Sequence, residues 1–161
     1  MTNAGSGLWQ RKGDLFFAVC FAFFAFSSFF SDAVHALGWM HGEGFWAESN
    51  RWYAQVAGDR FFASDPAFLR VRTAISAFVY GPFYLVLVYA FVRGANWIRL
   101  PALLYVGAMT VGVVEFLAWE FALGLPPQNL PVFLAFNLPY LIVPLLLGAR
   151  MWRTHPFGAP S

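Results

Sequence analysis

Four long, nearly uncharged apolar stretches alternate with more polar segments along the chain. They run from Leu15 to about Leu37, from about Thr73 to Val92, from Leu100 to about Leu123, and from about Leu130 to Ala149. A helix that crosses a bilayer needs roughly 20 apolar residues, and each stretch meets that length. The pattern predicts an all-α membrane protein, a four-transmembrane-helix bundle forming one domain over residues 1–161. The segment of about residues 38–72 is too long for a simple connection inside a compact protein. Phe45, Trp46, Trp52, Tyr53, Phe61 and Phe62 give it an apolar side, and Asp59 and Asp65 supply turn or helix-cap chemistry. It is therefore expected to fold as a cap over the outer mouth of the bundle.

Composition strengthens this picture. Hydrophobic residues make up 60% of the 161 residues and aromatic residues 20%, against 11% charged. A soluble domain carries about 25% charged residues. Lys and Arg are scattered singly, so nucleic acid is not an expected partner. The single cysteine, Cys20, excludes a disulfide framework. The first apolar run follows Arg11 and Lys12 but is too long and aromatic for a cleavable signal, and no small-residue cleavage site follows it.

Orientation follows from the short loops. One side carries Arg11, Lys12, Arg93, Arg99, Arg150 and Arg153, with Trp9, Trp97 and Trp152 near the boundary as an aromatic belt. Arg51, Arg60, Arg70 and Arg72 on the other side all lie in the long loop, beside Glu43, Glu48, Asp59 and Asp65. Both termini are expected in the cytoplasm. The membrane would be the inner membrane of a bacterium or the endoplasmic reticulum of a eukaryote.

Ionisable groups inside spans are costly and mark functional sites. At 1.5 Å of rise per residue, Asp32 lies about 27 Å above Asp14, and Glu115 about 24 Å above Arg99. Ser76 lies about 26 Å above Arg93, and Asn137 and Tyr140 roughly 20 and 15 Å above Arg150. These groups share the outer half of a hydrocarbon core about 30 Å thick. A polar pocket beneath the cap is the simplest reason. Glu120, about 31 Å above Arg99, reads as interfacial. Pro82, Pro139 and Pro144 fall inside spans, where each frees a backbone carbonyl; such breaks are tolerated beside a cavity or a neighbouring helix. His35 and His41 lie at the outer rim without metal-site spacing, and no metal or cofactor is expected.

Several strings resemble the EXPERA family, which includes emopamil-binding and sigma-2-receptor proteins. Arg51-Trp52-Tyr53-Ala54 followed by Gly58-Asp59 resembles the family's WYA…D segment. Tyr80-Gly81-Pro82-Phe83 resembles its helix-breaking GP or LP. Trp97-Ile98-Arg99-Leu100-Pro101-Ala102 is similar to a WIRxPA turn, and Asn137-Leu138-Pro139-Tyr140-Leu141-Ile142-Val143-Pro144 to the final helix. The resemblance implies a four-helix bundle with a pocket opening sideways to lipid, a sterol-like ligand, and a tendency to form homodimers. It places Asp32 and Asp59 on two acidic positions, Asn137 on an asparagine of the sterol-isomerase branch, and Ser76 where that branch has threonine. The chain departs from the isomerase pattern at Ser28, where that branch has histidine, and at Thr73, where it has glutamate.

Two functions follow. The first is isomerisation or cyclisation of a sterol or terpenoid through a carbocation, without a cofactor. Asp32 and Glu115 would divide the acid and base roles with Asn137 assisting, as desolvated carboxyls suit general-acid work. Tyr80, Trp119 and Tyr140 would face the cation, and Ser28, Asp59, Thr73 and Ser76 would contact the substrate. The second is binding without chemistry, with the acid holding a cationic amine or a sterol hydroxyl. Two carboxyls around one ligand favour proton transfer; Glu115 turned away from the pocket favours binding.

Overall fold

The computed structural model describes residues 7–122 and 125–158. Among these residues the chain is helical, with four segments long and apolar enough to cross a membrane: Lys12–Ala36, Ala67–Arg93, Asn96–Ala122 and Leu130–Met151. The expected end of the third span at Leu123 lies outside the described residues.

The first span comprises α1 (Lys12–Ser27), a π-helical turn (Ser28–Asp32) and α2 (Ala33–Ala36). The cap contains α3 (Phe45–Ala57) and α4 (Arg60–Ala63). The second span comprises α5 (Ala67–Ile75), a second π-helical turn (Ser76–Tyr80) and α6 (Gly81–Arg93). The third is α7 (Arg99–Ala122). The fourth is α8 (Leu130–Asn137) and α9 (Pro139–Met151), parted where Pro139 cannot donate a helical hydrogen bond.

The second span begins at Ala67, six residues before the position read from hydropathy. Its first turns carry Arg70 and Arg72, and both are neutralised. Arg70 donates to Asp65 at 2.7 and 3.0 Å, and Arg72 donates to Glu115 at 3.2 Å. Ion pairs thus let the helix extend past the apolar window.

α1 packs along α6, and α7 along α9. The shared core is aromatic. Phe21 stacks on Tyr84 at 5.9 Å, Phe17 on Phe91 at 5.0 Å, and Phe24 on Tyr140 at 4.3 Å. Outward positions such as Leu104 and Val111 are exposed, as lipid-facing residues should be.

The cap is folded and tied down. Gly58 ends α3 in the left-handed conformation at φ +61°, and Asp59 then caps α4 by accepting from the Phe62 N–H at 2.7 Å. The Gln128 and Asn129 N–H groups donate to the Gly58 and Ala57 carbonyls at 3.3 and 2.9 Å, fixing the cap to the connection before α8. On the other side, Asp65 accepts from Arg70 and pairs with His35 Nδ1 at 3.0 Å. Burial alone would raise the Asp65 carboxyl, but these partners hold it below its ordinary range.

Candidate functional site

The two π-helical turns build the floor of the site. The Ala33 N–H bonds the Ser28 carbonyl and the Gly81 N–H bonds the Ser76 carbonyl, each five residues back. A π turn widens the helix and is frequent at functional sites. In the second span Pro82 supplies a cause, since its ring nitrogen cannot bond the carbonyl four residues earlier. The turns face each other. The Ser28 and Ser76 hydroxyls are hydrogen-bonded at 3.0 Å, both beside the Asp32 carboxylate. Gly81 lets the turns approach: a Cβ there would meet the Phe29 ring at 3.0 Å.

Above this floor is a cavity of about 780 Å³, within the range of small-molecule sites. Its wall carries Asp32, Thr73, Ser76, Tyr80, Asn137 and Tyr140, drawn from the first, second and fourth spans. Met109, Val113 and Phe116 line it from the third span, and Trp46, Tyr53 and Phe62 from the cap. Phe26, Phe30, Phe45, Trp52 and Phe136 also line it and are exposed, so its mouth is aromatic. Glu48 and Arg72 supply further charge, Glu48 at the exposed rim.

The polar wall is ordered by hydrogen bonds. Tyr140 donates to the Ser27 hydroxyl at 2.7 Å. The Ser31 hydroxyl donates to Asn50 Oδ1 at 2.9 Å, which ties the cap to the turn that carries Asp32. Thr73 spends its hydroxyl on the Leu69 and Arg70 carbonyls of its own helix. Asn137 Nδ2 donates to the Phe133 carbonyl at 2.8 Å and to the Tyr53 hydroxyl at 2.9 Å.

Behind Tyr53 lies a second acidic group. Its hydroxyl donates to Asp59 at 3.3 Å, and Asp59 lies against Glu120. Both carboxyls are wholly buried, and Glu120 has no hydrogen-bond donor among the described residues. Two facing carboxylates hold no hydrogen between them, and one shared proton satisfies both. Burial pushes the Asp59 carboxyl above its ordinary range, against the Phe62 N–H and the Tyr53 hydroxyl, which pull it down. Burial and the neighbouring Asp59 also push the Tyr53 hydroxyl upward, which keeps it a donor.

The expected site residues separate into three groups. Asp32, Thr73, Ser76, Tyr80, Asn137 and Tyr140 line the cavity, with Ser28 bonded to its floor. Asp59 stands one hydrogen bond behind the wall. Glu115 and Trp119 are not on the wall: Glu115 is paired with Arg72, and Trp119 packs on Phe68 at 5.3 Å. Helical rise puts Glu115 in the outer half of its span without fixing its azimuth, and Glu115 points out of the bundle with its side chain 51% exposed. Glu120, expected at the interface from depth alone, is fully enclosed. Five residues on a helix turn through about 140°, so Glu115 and Glu120 must face different ways. Among the described residues, no three His, Cys, Asp or Glu side chains are grouped to hold a metal.

A folded aromatic cap over a polar-floored cavity inside four apolar helices defines an intramembrane small-molecule pocket. Residues 45–151 match the profile of EXPERA (EXPanded EBP superfamily), and the chain belongs to that family. The match begins in the cap, so Asp32 precedes it. Among curated proteins the chain is similar to sigma intracellular receptor 2 of Xenopus tropicalis, 28% identical over 111 residues, 63% of this chain and 65% of that protein. It is also similar to sigma intracellular receptor 2 of Macaca fascicularis, 29% identical over 117 residues, 65% of this chain and 66% of that protein. The chain thus spans slightly less than two-thirds of each relative's length. No solved structure matches the chain.

Proposed function

We propose that this protein binds a hydrophobic amphiphile of the sterol or terpenoid class in its outer-half cavity, and that Asp32 holds the ligand's hydroxyl or ammonium group. One observation carries the reading. Asp32 is the carboxylate on the cavity floor, while Glu115 is held outside by Arg72. The aromatic mouth suits entry from lipid, and the Ser28–Ser76 pair fixes the environment of the acid. Relatives named as receptors also support a binding role. The cluster of Arg11, Lys12, Arg93, Arg99, Arg150 and Arg153 at one end of the bundle supports cytoplasmic placement of both termini.

The Glu120–Asp59–Tyr53–Asn137 chain favours a second reading, cofactor-independent isomerisation or cyclisation. Asp32 would protonate an alkene or open an epoxide. The faces of Tyr80 and Tyr140 would stabilise the cation, and the Tyr53 hydroxyl on the cavity wall would accept the departing proton while passing its own to the Asp59 carboxylate.

Lipids that co-purify with wild type and with Asp32→Asn, identified by mass spectrometry, separate these readings. Binding predicts one unaltered amphiphile on wild type and its loss from the variant. Catalysis predicts a rearranged product on wild type and its precursor on the variant. An identical lipid complement on both proteins overturns the role of Asp32.

A further inference from the structure

A second cavity, of about 360 Å³, lies at the opposite end of the bundle from the ligand pocket. Its wall carries Arg11, Lys12, Gly13, Arg150, Arg153 and His155. Asp14 is the carboxylate on this wall, so four cationic side chains leave a net charge of +3 with His155 neutral. Nothing in the ligand-binding reading uses these residues.

Asp14 is buried and accepts from Arg11 at 2.9 Å and from Arg150 at 2.8 Å. It holds the two guanidinium groups on one wall. Arg11 is further fixed through Nη2 to the Val92 carbonyl at 2.7 Å. Its Nε is buried and has no partner among the described residues. The side chains of Lys12 and Arg153 make no hydrogen bond to the described residues.

The same wall includes the start of α1, a 16-residue helix whose N-terminus has no side-chain cap. The Lys12 and Gly13 N–H groups have no acceptor among the described residues. Free N–H groups and the helix dipole favour an anion at such an end. Unspent guanidinium and ammonium donors lie beside them, and guanidinium recognises phosphate oxygens well. The C-terminal segment forms another side of the cavity. Asn96 holds it through the Phe157 N–H and the Gly158 carbonyl at 3.1 and 2.8 Å, and Arg150 lies 5.5 Å from the Phe157 ring centre.

Depth identifies the source of the anion. Trp9, Trp97 and Trp152 are exposed at this end of the bundle, and such a belt sits at headgroup level. Basic pockets between helices at that level suit anionic headgroups. The cavity is also much larger than the roughly 30 Å³ that one water takes in the liquid, so a phosphate has room for its attached alcohol. We propose that this cavity binds the phosphate group of an anionic phospholipid, held by Arg11, Arg150 and the start of α1, with Lys12 and Arg153 closing over it.

The test uses the full chain in nanodiscs of phosphatidylcholine containing a minor fraction of phosphatidylglycerol. Lipid retained on the released protein is counted by native mass spectrometry. Because Arg11 and Arg150 neutralise buried Asp14, the variant is Lys12→Gln with Arg153→Gln, which leaves that triad intact. Arg93→Gln is the control, a cation at the same end but off the cavity wall. Wild type and the control should retain phosphatidylglycerol over phosphatidylcholine. The double variant should hold it about 30-fold less tightly, as expected for two charges near the surface at about 1 kcal/mol each. Equal retention of the two lipids by wild type, or undiminished preference in the double variant, overturns the site. Thermal stabilisation by inorganic phosphate without a lipid preference overturns the lipid as its occupant.

Discussion

Arg72 donates to Glu115 at 3.2 Å, and this pair takes one of the two expected catalytic carboxylates off the cavity wall. The contact joins the start of the second span to the outer half of the third. It leaves Asp32 to meet a ligand alone on the floor. Glu115→Gln should therefore change affinity for a co-purified or added amphiphile by no more than about twofold. Asp32→Asn should weaken it by roughly 10- to 100-fold, the range for losing a hydrogen bond to a charged group. Ligand-induced thermal shifts in detergent, read over a concentration series, measure both. Comparable loss in the two variants would return Glu115 to the site.

Gly58 should be hard to replace. Its φ of +61° is one that side-chain-bearing residues rarely adopt, and a Cβ there would lie 2.6 Å from Gln128 Cβ and 3.1 Å from the Gln128 nitrogen. Gly58→Ala therefore strains the end of α3 and presses on the connection to α8. The expected cost exceeds about 1 kcal/mol. Relief would require the Gln128 N–H to leave the Gly58 carbonyl. Proteolysis of the cap, measured against wild type under native conditions, should accelerate. An unchanged rate would mean that the cap is not held by this junction.

The four spans were legible in the sequence because lipid imposes one strong condition, a long run of apolar residues, and each stretch meets it. The cap was legible because Asp59 and the aromatic residues around it left few other options. Helical rise puts Asp32, Ser76 and Asn137 in one layer, and all three line the cavity, but rise says nothing about azimuth. For that reason rise alone does not separate Glu115, which points outward, from Glu120, which is enclosed. The two π turns were also hidden. Pro82 hinted at the second, but nothing local marks Ser28–Asp32, whose widening accompanies the facing of Ser28 and Ser76. Tyr53 reads as part of the cap's apolar side and of the WYA…D string, and neither reading shows that its hydroxyl links Asn137 to Asp59.

That link yields a prediction of its own. Asn137 joins the fourth span to the cap through Tyr53, across 84 residues of chain. Asn137→Ala leaves the Tyr53 hydroxyl without this donor and a partly buried carbonyl at Phe133 without its side-chain partner. The cost should be about 1–3 kcal/mol of stability. If Asn137 also contacts ligand, affinity should fall more than in Tyr53→Phe, which removes only the hydroxyl. Thermal unfolding and ligand titration on both variants separate the structural from the binding contribution. Equal affinities would confine Asn137 to holding the cap.

The Asp59–Glu120 pair should make stability depend on pH in a definite direction. Asp59 has its carboxyl raised above its ordinary range, mainly by burial. A raised acid holds its proton more tightly folded than unfolded. Its contribution is fully present at pH values below the unfolded titration, and it is lost as pH rises through the folded one. Wild type should therefore lose stability from mildly acidic to alkaline conditions, because the last proton must leave two facing carboxyls. Glu120→Gln places a permanent N–H donor where the shared proton sits and removes one of the two charges. The variant should match wild type closely at acidic pH and exceed it at alkaline pH. The gap should be on the order of 1 kcal/mol for each unit by which the Asp59 titration is raised. Thermal unfolding of both proteins in detergent across that range measures it. A constant difference at every pH would show that the two carboxyls do not share a proton, and Glu120 would then need another donor in the cap.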